Sequence, residues 1–204
     1  MKKVLYLFIL LFLVNNLIAQ DTFHRNIPFD EDWLFFKGGQ FAAEKPEFND
    51  SAWRKLDLPH DWSIEDLPGS NSPFNKNAIG QQNTGFATGG TGWYRKHFVV
   101  PAEQKGQRII IRFDGVYSNA EIWNNGQSIG KQSYGYSSFE FDITEKIRFG
   151  ETNLIAVKVM NEGENSRWYT GSGIYRHVWM DVVDPVRIAQ WGTFITTPVN
   201  YPYL

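Results

Sequence analysis

The chain has 204 residues, of which 42% are hydrophobic and 16% aromatic. That supplies one or two packed domains and excludes a disordered chain. There is no cysteine, which excludes disulfide scaffolds, thiolate metal sites and a cysteine nucleophile. The formal charge of −2 leaves no basic excess to neutralise phosphates, so a nucleic-acid partner is not implied.

The first segment reads as an address. Lys2 and Lys3 precede an unbroken apolar run from Val4 to Val14, then Asn15, Asn16 and the small residue Ala19. This order predicts a secretory signal peptide over residues 1–20, cut after about residue 19, and export to the periplasm or the extracellular space. The alternative is an uncleaved anchor, but the run falls short of the roughly 20 apolar residues that a span needs. No later stretch is apolar enough to cross a membrane, so no membrane partner is expected after cleavage.

The rest alternates with a period of two between turn signals, the pattern of half-buried strands. Residues 33–36 predict an early strand. Asn49-Asp50-Ser51-Ala52-Trp53 could cap and begin a helical turn. Residues 67–92 are long, aperiodic and rich in Gly, Asn, Ser and Thr, as functional or mobile loops are. A strand follows at 92–100. Over 108–114, Ile109, Ile111 and Phe113 share one face. The strand 119–124 ends in Asn124-Asn125-Gly126, a two-residue hairpin signal. Residues 138–143 alternate again. Asp142-Ile143-Thr144-Glu145 has capping-box spacing, with Gly150 as the stop. Residues 154–159 are apolar on both faces, as in a central strand. The strand 174–182 would place Arg176 on its apolar face as a buried, paired arginine. Many strands and few helices predict an all-β fold, a jelly-roll β-sandwich. Domain limits follow: 21–185 for the sandwich, and 186–204 for a connector and a fresh strand at 193–198. That strand either opens a second domain or folds back on the first.

Four segments then carry a resemblance. They are Leu58-Pro59-His60-Asp61-Trp62-Ser63-Ile64-Glu65, Gly90-Thr91-Gly92-Trp93-Tyr94-Arg95-Lys96, Asn124-Asn125-Gly126-Gln127-Ser128-Ile129-Gly130, and the run from Ser166 through Arg167-Trp168-Tyr169-Thr170-Gly171-Ser172-Gly173-Ile174-Tyr175-Arg176 to Val178. In order and content they resemble the N-terminal domain of family 2 glycoside hydrolases, especially exported β-galactosidase-like members. The resemblance implies a jelly roll of the galactose-binding type, followed by an immunoglobulin-like domain and a TIM barrel. The barrel of such enzymes carries two glutamates, and hydrolysis retains configuration. A barrel takes roughly 200–250 residues, so it lies outside this chain. The tail 186–204 resembles the entrance to the immunoglobulin-like domain of a truncated enzyme.

The expected function is therefore sugar binding and bracing within such an enzyme. The alternative is a stand-alone carbohydrate-binding module. The expected partners are a β-galactoside or related glycan and the missing domains. Asp61 either accepts hydrogen bonds from sugar hydroxyls at a pocket edge, or caps a turn or pairs with Arg95. Arg167, Trp168 and Tyr169 offer an aromatic face beside hydrogen-bonding groups, which suits a pyranose; the alternative is packing at an interdomain seam. Trp123 is expected to pack in the core or a seam. Asn161-Glu162 has the pair that marks the acid/base in the family's barrel, but its place at a strand exit reads as a solvated turn. No catalytic residue is expected here. His24, His60, His97 and His177 lack ligand spacing, and His60 reads as a packing residue. No metal or cofactor is implied, and neither a phosphate loop nor a Gly-x-Ser-x-Gly elbow occurs.

Overall fold

The computed structural model describes residues 24–69, 73–162 and 169–198. The expected signal peptide lies outside the described residues, as do Arg167 and Trp168.

Among the described residues, ten strands form two antiparallel sheets. They are β1 (His24–Pro28), β2 (Trp33–Lys37), β3 (Arg54–Leu56), β4 (Gly90–Val99), β5 (Arg108–Phe113), β6 (Ala120–Asn124), β7 (Gln127–Gln132), β8 (Phe139–Asp142), β9 (Thr152–Asn161) and β10 (Val178–Val183). The smaller sheet runs β1-β10-β5-β8 and the larger β3-β2-β4-β9-β6-β7. This is the expected jelly-roll sandwich. Its helical content among the described residues is three short 3₁₀ turns, at Gln81–Thr84, Ala102–Gln104 and Thr144–Lys146. The last lies where a capped turn was expected, but its N-cap is Ile143 without a side-chain cap bond and it ends at Lys146, short of Gly150; Asp142 Oδ1 instead accepts hydrogen bonds from Thr144 N at 3.0 Å and Thr144 Oγ1 at 2.6 Å.

Alternation decides the core. Ile109, Ile111 and Phe113 of β5 meet Val178 and Val182 of β10, and across the gap lie Tyr94, Ile122, Ile155, Val157 and Val159 of the larger sheet. β9 pairs with β4 on one side and β6 on the other. A strand so placed is apolar on both faces because both faces are covered. At the β6–β7 hairpin, Asn125 and Gly126 both take positive φ, 49° and 80°, as the right-handed twist of the strands requires.

The outer face of the larger sheet is roofed by residues 38–53. Ala43 and Trp53 from this segment pack on Trp93 and Ala156, with Phe36, Phe48 and Trp123 around them. Trp123 stacks on Trp93 with ring centroids 5.4 Å apart, which fulfils its expected packing role. Beneath the roof lies Arg95, with no exposed surface. Its Nε donates to Asp50 Oδ2 at 2.7 Å, and Nη1 donates to the carbonyls of Ala43 and Lys45. The guanidinium also lies over the Phe48 and Trp53 rings. Burial alone would raise the Asp50 carboxyl, but hydrogen bonds from Arg95 and His97 outweigh it and hold the pKa below its ordinary value. One cation thus satisfies a carboxylate and the carbonyls of a segment that has no ladder of its own.

Four expectations are corrected. Residues 49–53 form a hydrogen-bonded turn, with Trp53 N donating to Asp50 O, and not the start of a helix; the Asp50 side chain is committed to Arg95 rather than to a cap. Arg95 pairs with Asp50 and not with Asp61. The last strand starts at Val178 and not at 174, so Arg176 is exposed, lying over the Tyr175 ring. Residues 174–177 are held instead by the loop crossing described below. The strand expected at 193–198 does not form, and Phe194 and Ile195 stay exposed.

Replacing Arg95 with Met should leave Asp50 partly buried without its cation. Urea denaturation should show a loss of about 3–5 kcal/mol, with residues 38–53 becoming sensitive to protease first. A loss below about 1 kcal/mol would count against the cage.

Candidate functional site

At one end of the sandwich three segments cross. His60 N donates to Ile174 O at 2.8 Å and Trp62 N to Ser172 O at 3.1 Å. On the other side, Tyr117 and Gly173 exchange a pair of 2.9 Å backbone bonds. Gly173, with φ of 118°, is the crossing point. A Cβ there would fall 2.3 Å from the Tyr94 hydroxyl and 2.7 Å from His60 O. Only glycine lets the strands approach so closely.

The side chains lock the crossing. Asp61 Oδ1 accepts from Ser63 N at 2.9 Å and from Ser172 N at 2.8 Å. Its Oδ2 accepts from the Tyr169 hydroxyl. Burial, aided by the Asp61 carboxylate, pushes the Tyr169 phenol far above its ordinary range, so it stays protonated and donates. Ser63 Oγ donates to Thr88 O at 2.5 Å and lies 2.6 Å from Ser172 Oγ. Asn161 Nδ2 reaches Gly171 O at 2.9 Å and Ser172 Oγ at 2.7 Å. The Trp62 indole donates to Gly89 O, which ties down the end of the long loop.

Behind this network is His60, 8% exposed. Its Nδ1 is 2.7 Å from the Tyr94 hydroxyl, and its Nε2 is 2.9 Å from both Arg54 Nη2 and Glu65 Oε1. Burial lowers its pKa, and the nearby Glu65 opposes this without prevailing. The ring is a neutral, hydrogen-bonded packing residue, as its sequence context suggested.

In front lies a cavity of about 230 Å³. Ser63, Thr88, Asn161 and Tyr169 form its wall, with the peptides of Gly89, Gly90 and Gly171. Asn75, Asn77 and Thr84 reach in from the long loop. Among the described residues the lining holds no charged side chain. What it offers is amide and hydroxyl hydrogen bonding beside one aromatic ring. A second hollow of about 330 Å³, lined by Phe35, Phe36 and Trp62 with Arg54 and Glu65, is largely apolar and lacks that chemistry.

A jelly roll whose loops enclose a small, uncharged, ring-walled recess at one end belongs to the class of sugar-binding β-sandwich domains. Residues 45–183 match the family described as glycosyl hydrolases family 2, sugar binding domain, and the chain belongs to that family. It is 46% identical over 170 residues to the beta-galactosidase BoGH2A of Bacteroides ovatus, covering 83% of this chain and 19% of that protein. A beta-glucuronidase of Formosa agariphila is 34% identical, with 78% of this chain and 17% of that protein covered. Among solved structures, a glycosyl hydrolase family 2 member from Bacteroides cellulosilyticus superposes with a TM-score of 0.82 at 55% identity, covering 86% of this chain and 23% of that one. The chain thus spans about a fifth of the length of these relatives.

Of the residues singled out in the sequence, Asp61 and Tyr169 are brought into direct contact, and Arg167 and Trp168 lie outside the described residues. Asp61 caps and ties, and its carboxylate is not part of the cavity lining. Asn161 departs from its expected place in a solvated turn. It ends β9, is half-buried and lines the cavity, while Glu162 is exposed and accepts from Thr91 Oγ1. Ser63, Thr88, Ser172, Asn75 and Asn77 were not foreseen. Ser63 and Ser172 stood inside quoted motifs, but their partners are 25 and 109 residues away.

Two outcomes follow. In the window between the lowered folded pKa of His60 and its ordinary 6.5, the unfolded chain binds more protons. Stability is then complete above 6.5 and declines as pH falls through the window. Thermal unfolding between pH 7.5 and 5 should show this slope, and His60→Gln should flatten it. Gly173→Ala should cost at least about 2 kcal/mol by chemical denaturation; a neutral result would mean that the crossing is loose.

Proposed function

We propose that this domain works within an exported, retaining β-galactosidase-like hydrolase of carbohydrate metabolism. There it holds part of the terminal sugar and braces a catalytic barrel lying outside these 204 residues. The observation that carries the reading is the uncharged cavity walled by Tyr169, Asn161 and the loop amides. Tyr169 supplies the ring, and Asp61 fixes that ring and the Ser172 peptide in place. Among the described residues the cavity lining holds no cation, which suits a neutral hexose better than a uronate and favours the galactosidase branch among relatives that include a beta-glucuronidase.

The surface near the cavity supports a neighbouring module. Ile64, Leu67, Phe74, Ile79 and Phe86, all on or next to the long loop, are exposed. Solvent-facing apolar groups gathered on one segment mark an interaction surface. The exposed Val186, Ile188, Phe194 and Ile195 support a reading of the tail as the entrance to an immunoglobulin-like domain. The basic, apolar and small-residue order of the first twenty residues supports export.

Calorimetry tests the binding claim. Methyl β-galactoside should bind with a Kd on the order of 1 mM, a few kcal/mol of affinity, as expected when one protein face of a sugar site is present. Glucuronate should bind at least about five times more weakly. Nitrophenyl galactoside should not be turned over by the purified chain. Tighter binding of glucuronate, or hydrolysis lost on mutating a carboxylate, would overturn the reading.

A further inference from the structure

Tyr134 and Tyr136 are 63% and 45% exposed and stand against each other on one turn. Tyr136 packs against the buried Tyr117 ring at 5.3 Å and meets Tyr134 edge-on at 5.7 Å. The turn that carries them is pinned from several sides. The Tyr175 hydroxyl donates to Gly135 O at 2.8 Å, and Gln132 Nε2 donates to Ser137 Oγ at 3.1 Å. Gly135 lies so close to Tyr117 that a Cβ would fall 2.2 Å from its ring. Arg176, exposed, lies over the Tyr175 ring beside this turn. Two large rings left partly in water on a turn whose backbone is already tied down form a ready-made face, so seating a ligand there costs little in ordering it.

The chemistry separates these rings from the other exposed apolar groups. On the long loop the exposed residues are Ile64, Leu67, Phe74, Ile79 and Phe86, which suit a protein surface. Here they are tyrosines, edged by Arg176 and Asn119, both exposed. An aromatic face with hydroxyls and donors at its rim fits the apolar C–H face and polar edge of a pyranose. The turn also lies at the cavity's end of the sandwich. Tyr117 pairs with Gly173, two residues from the cavity-lining Gly171, and Ser118 O accepts from Met160 N, next to the cavity-lining Asn161.

We propose that Tyr134 and Tyr136 form a second sugar contact, a stacking platform for further hexose units of an oligosaccharide whose terminal unit enters the cavity. The link to the cavity rests on the function proposed above; the platform itself does not. The test is calorimetry of the full 204-residue chain with galactose, β-1,4-galactobiose and β-1,4-galactotriose. Affinity should rise about tenfold from galactose to the trisaccharide. The double variant Tyr134→Ala/Tyr136→Ala should bring the trisaccharide to within about twofold of galactose while leaving galactose unchanged. Tyr134→Phe/Tyr136→Phe should keep most of the gain. If the double alanine variant fails to fold, Tyr134→Ala alone reads the same effect at the more exposed ring. Equal affinity at all three lengths, or a gain that survives the alanine variants, would overturn the platform. Trisaccharide binding lost with the tyrosines while galactose does not bind would uphold the platform and overturn the cavity reading. No binding by any of the three sugars would overturn both.

Discussion

The geometry of the whole loop end depends on one backbone contact. Gly173 brings residues 172–174 against residues 60–62 on one side and Tyr117 on the other, with the Tyr94 hydroxyl against its α-carbon. Residues 60–62 and 172–174 are more than 100 residues apart, with Tyr117 about midway between them, so closing the crossing is costly in chain entropy. The return is a set of backbone bonds that are shielded from water and cannot exchange cheaply for solvent. Once the crossing forms, Asp61, Ser63, Asn161 and Ser172 fall within reach of one another, and the cavity follows from their spacing. The crossing also explains why β10 begins only at Val178. The preceding residues are used in a local tie and not in a long strand.

The two broad faces of the sandwich meet their own needs. On the larger sheet, residues 38–53 and the Arg95 cage cover the tryptophans. On the smaller sheet, Arg112 lies over the Trp179 ring and is placed among Asn26, Asp114 and Asp181, with Nη2 donating to Asn26 Oδ1 at 2.8 Å. A buried cation stripped of partners is costly, so each sheet surrounds its outer arginine with carboxylates and amides of its own chain.

Much of this was legible in the sequence. Period-two alternation found β5 and β8 nearly to the residue, because each has one face on the core; β9 was found from its doubly apolar run at 154–159, two residues short at each end. The Asn-Gly hairpin was legible because its backbone signs leave few alternatives. β1 and β3 were missed: they are edge strands of five and three residues, without a buried stripe to betray them. Arg176 misled because alternation ran on past the point where pairing starts. The cavity was the least legible part. Its wall is made of serines, threonines and asparagines whose partners are set by the crossing and not by any local period. Asp61 could be picked out as a candidate, but its choice of Ser172 and Tyr169 over Arg95 depends on distances that only the assembled sandwich fixes.

An asymmetry follows. With both broad faces closed by internal ion pairs and aromatic packing, the exposed apolar groups outside the loop end and the tail are scattered singly, such as Phe41 and Val99, and call for no partner. The end formed by the long loop and the Gly173 crossing differs, because there a polar recess, exposed aliphatic side chains and pinned tyrosines lie close together. A domain finished on its sides and open at one end is suited to being one wall of a larger site. Its fold can be stable by itself, since the core and both cages are internal. Its recognition chemistry can still be incomplete, since the recess borders exposed apolar side chains. Separating fold stability from site completion in this way lets one sandwich serve different sugars: changes to the loop amides or the exposed rings alter what is bound without disturbing Arg95, Arg112 or the packed layers between them.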